Sequence, residues 1–384
     1  MSVNVDAQFA KQTLVSLVKI PSENPPGSNL EIVEYLADVG EKERLAVRRQ
    51  CVDKEKKMEN IIIAPSEEAF KGRKIVLAGH LDTVPIGDLD NWTKDPFGKD
   101  QEGDILFGRG SCDMKSGVAS FLSVIKAFKQ LEPLAVNPIF IGTADEENLM
   151  RGVKKILCLP EFQTPPEFAV IGEPTGLQIG IAEKGISHVK VSAKGVAAHG
   201  ARPDLGANAI DACYRIIQLI RKNMPKDTDP ILGPPTMNLG TLQGGIKVNI
   251  VAEQCHAELD FRFGPNFETE SMEKLVQKAC MEIKDPYKVD YEVIHQLPAL
   301  GTSPNHPFIL SISNELKRLG HEPKVTGLTY ATDGAVLVPE WKIPFLIFGP
   351  GDQETLHIAD EWVSISETVT AAQVVCNAFL STNP

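Results

Sequence analysis

The stretch from Ile75 to Pro85, IVLAGHLDTVP, constrains this chain more than any other. Ile75, Val76, Leu77 and Ala78 form an apolar run without polar alternation, which suits a parallel strand covered on both faces. The run stops at His80-x-Asp82. Ligands of open α/β sheets collect where such strands end. An imidazole there can bind a divalent cation, while a carboxylate two residues on points to the same side and can orient it. A lone histidine after a strand is also an ordinary surface residue, so the weight falls on what the rest of the chain adds.

At 384 residues, with 42% hydrophobic and 23% charged, the chain is long enough for two domains and ordinary enough to be globular. A net charge of -12, from 39 Lys plus Arg against 51 Asp plus Glu, argues against nucleic acid as a partner; Lys54 to Lys57 is the one basic block. The opening MSVNVDAQFAKQTL lacks the basic start and apolar core of a signal peptide. No run approaches the roughly 18 apolar residues of a spanning helix, so a cytoplasmic protein without a membrane partner is expected. Seven scattered cysteines with no C-x-x-C pair suggest neither a disulfide framework nor a thiolate zinc site. Cys112 reads as a small packing residue.

Helices are predicted over residues 6–20 and 28–40, separated by Pro21, Pro25, Pro26 and Gly27. Strands at 61–63 and 75–78, a helix at 116–131, and strands at 139–142 and 169–171 follow, an alternation that favours parallel pairing. After Glu183 the texture changes, because Val189, Val191 and Ala193 alternate with Lys190, Ser192 and Lys194 as in a half-exposed strand. A helix with Ile210, Cys213, Ile217 and Ile220 on one stripe comes next. Strands at 236–242 and 246–252 flank a Gly244-Gly245 hairpin turn, then a strand at 254–263, a helix at 268–283 and a strand at 289–294 complete the set, which with one strand to spare has the split β-α-β-β-α-β order. From Asn305 the first texture returns, with helices at 307–319 and 366–380 and a buried strand at 345–348. The predicted architecture is α/β: a doubly wound, mostly parallel sheet domain in two parts, residues 1–183 and 299–384, interrupted by an inserted ferredoxin-like α+β domain at 184–298.

Four acidic positions then bear on His80. GRGSCDMKSG at 108–117 looks like a phosphate loop, but Met114 stands before Lys115-Ser116 where glycine belongs, and Asp113 would repel phosphate. A carboxylate in a glycine-rich turn leading into a helix suits a cation. GTADEEN supplies Glu146 and Glu147 after the strand at 139–142; two successive acids can be a solvated helix start, or one can ligate a metal while the other acts as a base. Glu173 in IGEPTG repeats the pattern after the strand at 169–171, and His357 in ETLHIADEW follows the Gly349-Pro350-Gly351 turn. Two histidines and four carboxylates suit a zinc-type pair sharing a bridging carboxylate, with the metals about 3.5 to 4 Å apart. No G-x-S-x-G elbow competes.

GHLDTVP, GRGSCDMKSG, TADEE, IGEPTG, AAHGARPDLGANAI and LHIADEWV together resemble, in order and spacing from Ile75 to Val363, the motifs of the zinc amidohydrolase and exopeptidase family that includes acetylornithine deacetylase, succinyl-diaminopimelate desuccinylase, aminoacylase and glutamate carboxypeptidase. The resemblance implies two zinc ions per subunit, with cobalt or manganese as substitutes. His80 and Glu173 would bind one, Glu147 and His357 the other, and Asp113 would bridge them. It further implies that Asp82 orients His80 and that Glu146 is the general base. The inserted domain would be a dimerisation domain whose His199 reaches the active site of the other subunit in a homodimer. Asn249 and Arg262 would grip a substrate carboxylate; the alternative for Arg262 is an exposed cross-strand ion pair.

The expected activity is hydrolysis of an N-acyl amino acid, with Glu146 taking a proton from the attacking water and returning it to the leaving amine. The alternative is an exopeptidase releasing a terminal amino acid from a short peptide. A non-catalytic metal-binding protein is a third reading, disfavoured because Glu146 and His199 are both present.

Overall fold

Every residue of Lys74–His80 is buried, as are those of Asn137–Thr143 and Ala169–Ile171. These strands lie side by side and parallel at the heart of a nine-stranded sheet. The sheet runs in the order Ala46–Asp53, Met58–Ala64, Asn137–Thr143, Lys74–His80, Ala169–Ile171, Phe345–Ile347, Ile179–Glu183 and Leu300–Gly301, with Val325–Leu328 beside Ile179–Glu183. Its centre is parallel, and antiparallel strands flank it. The computed structural model describes residues 3–131 and 133–382.

The chain forms two compact units. The larger holds the residues up to Ile181, Gly301–Thr326 and those from Thr332; the smaller holds Ala182–Leu300 and Gly327–Ala331. In the larger unit the helix Ser116–Lys129 packs against Ile365–Thr382 and Ala7–Val18. Phe128 meets Phe379 edge-on at 4.7 Å between ring centres. Both rings are fully buried, so truncating either to alanine would cost about 3–5 kcal/mol. No helix among the described residues is long and apolar enough to cross a membrane.

In the smaller unit, four antiparallel strands stand in the order Thr236–Gly244, Gln254–Phe263, Gly185–Lys194 and Lys288–Leu297. The helices Ala209–Asn223 and Ser271–Met281 cover one face, burying Ile216, Ile217, Ile220 and Val276 against Val189, Val191, Ala257 and Phe261. The chain order β-α-β-β-α-β is the split arrangement expected from the sequence.

One local expectation fails, and several elements carry too little periodicity to be expected. Residues 246–252 form no strand, since the partner of Thr236–Gly244 is Gln254–Phe263, with Gly244 opposite Cys255. The apolar alternation there is not buried: Ile246 is 89% and Val248 101% exposed. The strand Ala46–Asp53 carries no strand signal, because it is an edge strand whose Arg48, Arg49 and Gln50 break the period of two. The helix Gly334–Trp341 carries no helix signal, because it is short and holds Pro339 inside.

Candidate active site

The parallel register sets the site. His80 stands opposite Thr143, and Ala78 opposite Ile171, so the chain leaves three neighbouring strands at one sheet edge, delivering His80, the Glu146-Glu147 pair and Glu173 together. The turn of Asp113 is pressed against the same edge by its glycines. A Cβ on Gly117 would lie 2.1 Å from the Gly172 carbonyl oxygen, and one on Gly110, at φ 77°, 2.5 Å from Thr83. The loop after Gly351 brings in the last donor, His357, whose φ of 60° is a left-handed conformation that histidine seldom adopts.

Asp113 lies between the two imidazoles. Its Oδ1 is 3.0 Å from His80 Nε2 and its Oδ2 3.2 Å from His357 Nε2. Glu173 approaches His80 Nε2 at 3.6 Å, and Glu147 approaches His357 Nε2 at 3.4 Å. The five residues expected to ligate thus fall into two sets around one shared carboxylate. Donor atoms of His80, Asp113 and Glu147 all lie within 4.8 Å of one another.

Asp82 differs from expectation in how it acts. The atom next to His80 Nδ1, at 2.8 Å, is the main-chain carbonyl oxygen of Asp82. Its carboxylate accepts instead from the amides of Glu146 at 3.2 Å and Glu147 at 3.3 Å, and from Asn24 Nδ2 at 2.8 Å. One residue therefore orients the imidazole with its backbone and caps the glutamate turn with its side chain. Asn24 also donates to Asp145, which holds φ 69° and takes a second bond from Arg151 Nε at 2.6 Å.

Charge is unbalanced here. Burial lifts the Glu146 and Glu173 carboxyls well above the ordinary carboxylate range; the neighbouring acids add to the rise and His80 opposes it. Burial also disfavours ionised Asp113, but hydrogen bonds from His357 and His80 outweigh it and hold this carboxyl below its usual range. The bonds to Asp113 and Glu147 push the His357 imidazolium up to about 10. Glu147 Oε1 is buried with no hydrogen-bond partner. An excess of carboxylate oxygens, two imidazoles and one unsatisfied buried oxygen make a donor set that fits a pair of divalent cations. His80, Asp113 and Glu173 would hold one, and His357, Asp113 and Glu147 the other.

Sequence reasoning missed several groups behind this edge. Asp333 is buried, accepts from the Thr143 hydroxyl, and keeps its Oδ1 unpartnered; its carboxyl rises to about 6, mainly through burial. Lys115 donates to the Ile20 carbonyl at 2.8 Å, and burial brings its ammonium down to about 7. Asn24, Arg109 and Glu361 are also buried. Arg109, Lys115 and Glu361 lie inside the sequence motifs, but the roles of these groups are not legible there, because their partners lie far away in sequence.

The smaller unit holds the other predicted residues. His199 and Asn249 sit on two neighbouring exposed loops, joined by the Gly200 amide to the Asn249 carbonyl at 2.8 Å and by the Val251 amide to the Ala198 carbonyl at 2.9 Å. His199 Nδ1 accepts from the Ala201 amide at 3.0 Å, which leaves the ring proton on Nε2. Arg262 is paired within its own strand: Nε and Nη2 meet Asp260 at 2.9 and 3.2 Å, and His188 Nε2 reaches the same carboxylate at 3.3 Å.

The model of peptidase family M20/M25/M40 matches residues 76–381. An acetylornithine deacetylase of Pectobacterium atrosepticum is 31% identical over 300 residues, 75% of each chain. Among solved structures, an aminopeptidase of Bacillus cereus superposes with a TM-score of 0.76 at 20% identity, covering 97% of this chain and 98% of that one. A dinuclear metal-binding peptidase of the M20 family from Bacillus subtilis superposes with a TM-score of 0.73 at 16% identity over 98% of both chains.

Proposed function

The chain belongs to peptidase family M20/M25/M40 and is a hydrolase of amide bonds; from that premise we propose that it is a dinuclear, zinc-dependent deacylase of N-acyl amino acids, working as a homodimer in the cytoplasm. The observation that carries the dinuclear reading is Asp113, whose two oxygens each face a different imidazole. The acyl amino acid reading draws on the acetylornithine deacetylase relatives.

When bound, the cations would polarise the amide carbonyl and make a water acidic enough to ionise near neutral pH. Glu146 is the general base. Its carboxyl is half-buried on a capped turn beside the candidate ligands without being one of them, which suits a group that must both take a proton from water and return it to the leaving amine nitrogen. His199, from the other subunit, donates through Nε2 to the oxygen that gains charge at the acyl carbon. Asn249 and Arg262 hold the carboxylate of the amino acid, with Asp260 keeping the guanidinium plane in position.

A panel of N-acetyl amino acids and dipeptides, assayed with added zinc, cobalt or manganese after chelation, tests the proposal. Faster hydrolysis of the N-acyl amino acids supports the deacylase. Preference for dipeptides would assign the exopeptidase activity instead.

A further inference from the structure

Two of the turns that carry carboxylates of the candidate metal site, those of Asp113 and of Glu147, are capped in the same manner. The Glu146-Glu147 turn is held by Asp82, whose carboxylate accepts both backbone amides. The Asp113 turn is held by Glu361, whose Oε1 accepts from the amides of Cys112 at 2.9 Å and Asp113 at 3.1 Å. Glu361 Oε2 is bonded to Arg109 Nη1 at 2.6 Å, and the Glu361 carbonyl accepts from the Gly108 amide at 2.8 Å. The carboxylate is fully buried and the guanidinium nearly so, with Arg109 lying 5.3 Å over the Trp92 ring.

Glu361 is also four residues after His357, at the entrance to the strand Trp362–Ser364, which pairs antiparallel with Ile105–Phe107. It therefore ties the backbone of the shared carboxylate to the segment that delivers the far imidazole. Stability does not account for this arrangement, since a buried ion pair can often be exchanged for apolar side chains of similar volume without loss. A cap on two successive amides has a narrower consequence. It sets where the Asp113 carboxylate points, and so whether its two oxygens can face His80 and His357 at once.

We propose that Glu361 is a positioning residue for the dinuclear site, presenting Asp113 as a bridge through its two backbone amides, with Arg109 holding the glutamate in place. This rests on the metal reading above. Two double variants isolate the amide cap: Arg109→Met with Glu361→Gln, which keeps an acceptor oxygen for both amides, and Arg109→Met with Glu361→Met, which keeps none. Both remove the ion pair.

Zinc is titrated into each metal-free protein against a chromogenic chelator, and the melting temperature of the metal-free form is recorded alongside. The Glu361→Met pair is expected to bind zinc about 10 to 100 times more weakly than the Glu361→Gln pair, the usual loss when a group supporting a metal ligand is removed. Equal zinc affinity in the two folded proteins would overturn the proposal, whatever their melting temperatures. Should the methionine pair not fold, Glu361→Asp decides: one methylene shorter, it keeps a charge for Arg109 but withdraws the acceptor from the two amides, so zinc binding should weaken about tenfold, and undiminished binding in the folded protein would refute the role. If the wild type itself binds no zinc, the metal reading fails, a result distinct from unequal or equal variants.

Discussion

The sheet edge of the larger unit and the exposed loops of the smaller one present their chemistry in opposite ways. At the edge, His80, Asp113 and Glu173 are buried, and the turns bearing Asp113, Glu146 and Glu147 are capped by further buried carboxylates. On the loops, His199 and Asn249 are exposed and their backbones are held by a few main-chain bonds. Burial of charge calls for partners, and the resulting caps hold the turns in place before any ligand arrives. Exposed groups such as His199, held by the Ala201 amide at Nδ1, keep their donors for whatever binds.

That contrast predicts a ranking of effects. Glu146→Gln should have the largest, lowering turnover by about two to four decades with zinc content and melting temperature near wild type, since it removes the base but no ligand. Loss of a zinc equivalent would mean that Glu146 and Glu147 have exchanged roles. His199→Ala should follow, at about 100- to 1,000-fold in turnover, the cost of one oxyanion donor, again without loss of metal. Mixing it with inactive Glu146→Gln protomers should restore activity, because some hybrid dimers hold one site with both residues intact. Hybrids that form and stay inactive would show that His199 does not act across subunits. Arg262→Lys should have the smallest effect, raising KM about tenfold for substrates with a free carboxylate, because lysine cannot reproduce the planar two-point contact. An equal rise on an amidated analogue would remove the carboxylate role.

Much of this organisation was legible along the chain. Fully apolar runs announced Lys74–His80 and Ala169–Ile171 as central strands, and the change to alternation at Val189 announced the open-faced sheet of the smaller unit. His80, Glu147 and Glu173 lay in motifs just beyond strand ends, and the shared register brings them to one edge, where a turn and a loop add Asp113 and His357. Residues 246–252 misled because alternation reports a strand only when one face is buried, and Ile246 and Val248 are in solvent.

The sequence by itself determined the element types, the alternation that makes the sheet parallel at its centre, and the donor residues at its strand ends, because periodicity and strand-end position are local properties. Only the tertiary structure decided that Asp82 orients His80 with its backbone while capping Glu146 and Glu147, and that Asn24, Arg109, Asp333 and Glu361 stand behind the donors. Apart from the His80–Asp82 bond, those contacts join residues dozens to hundreds of positions apart. A buried polar group is answered by whichever partner the fold brings within about 3 Å, and no pattern along the chain records that distance.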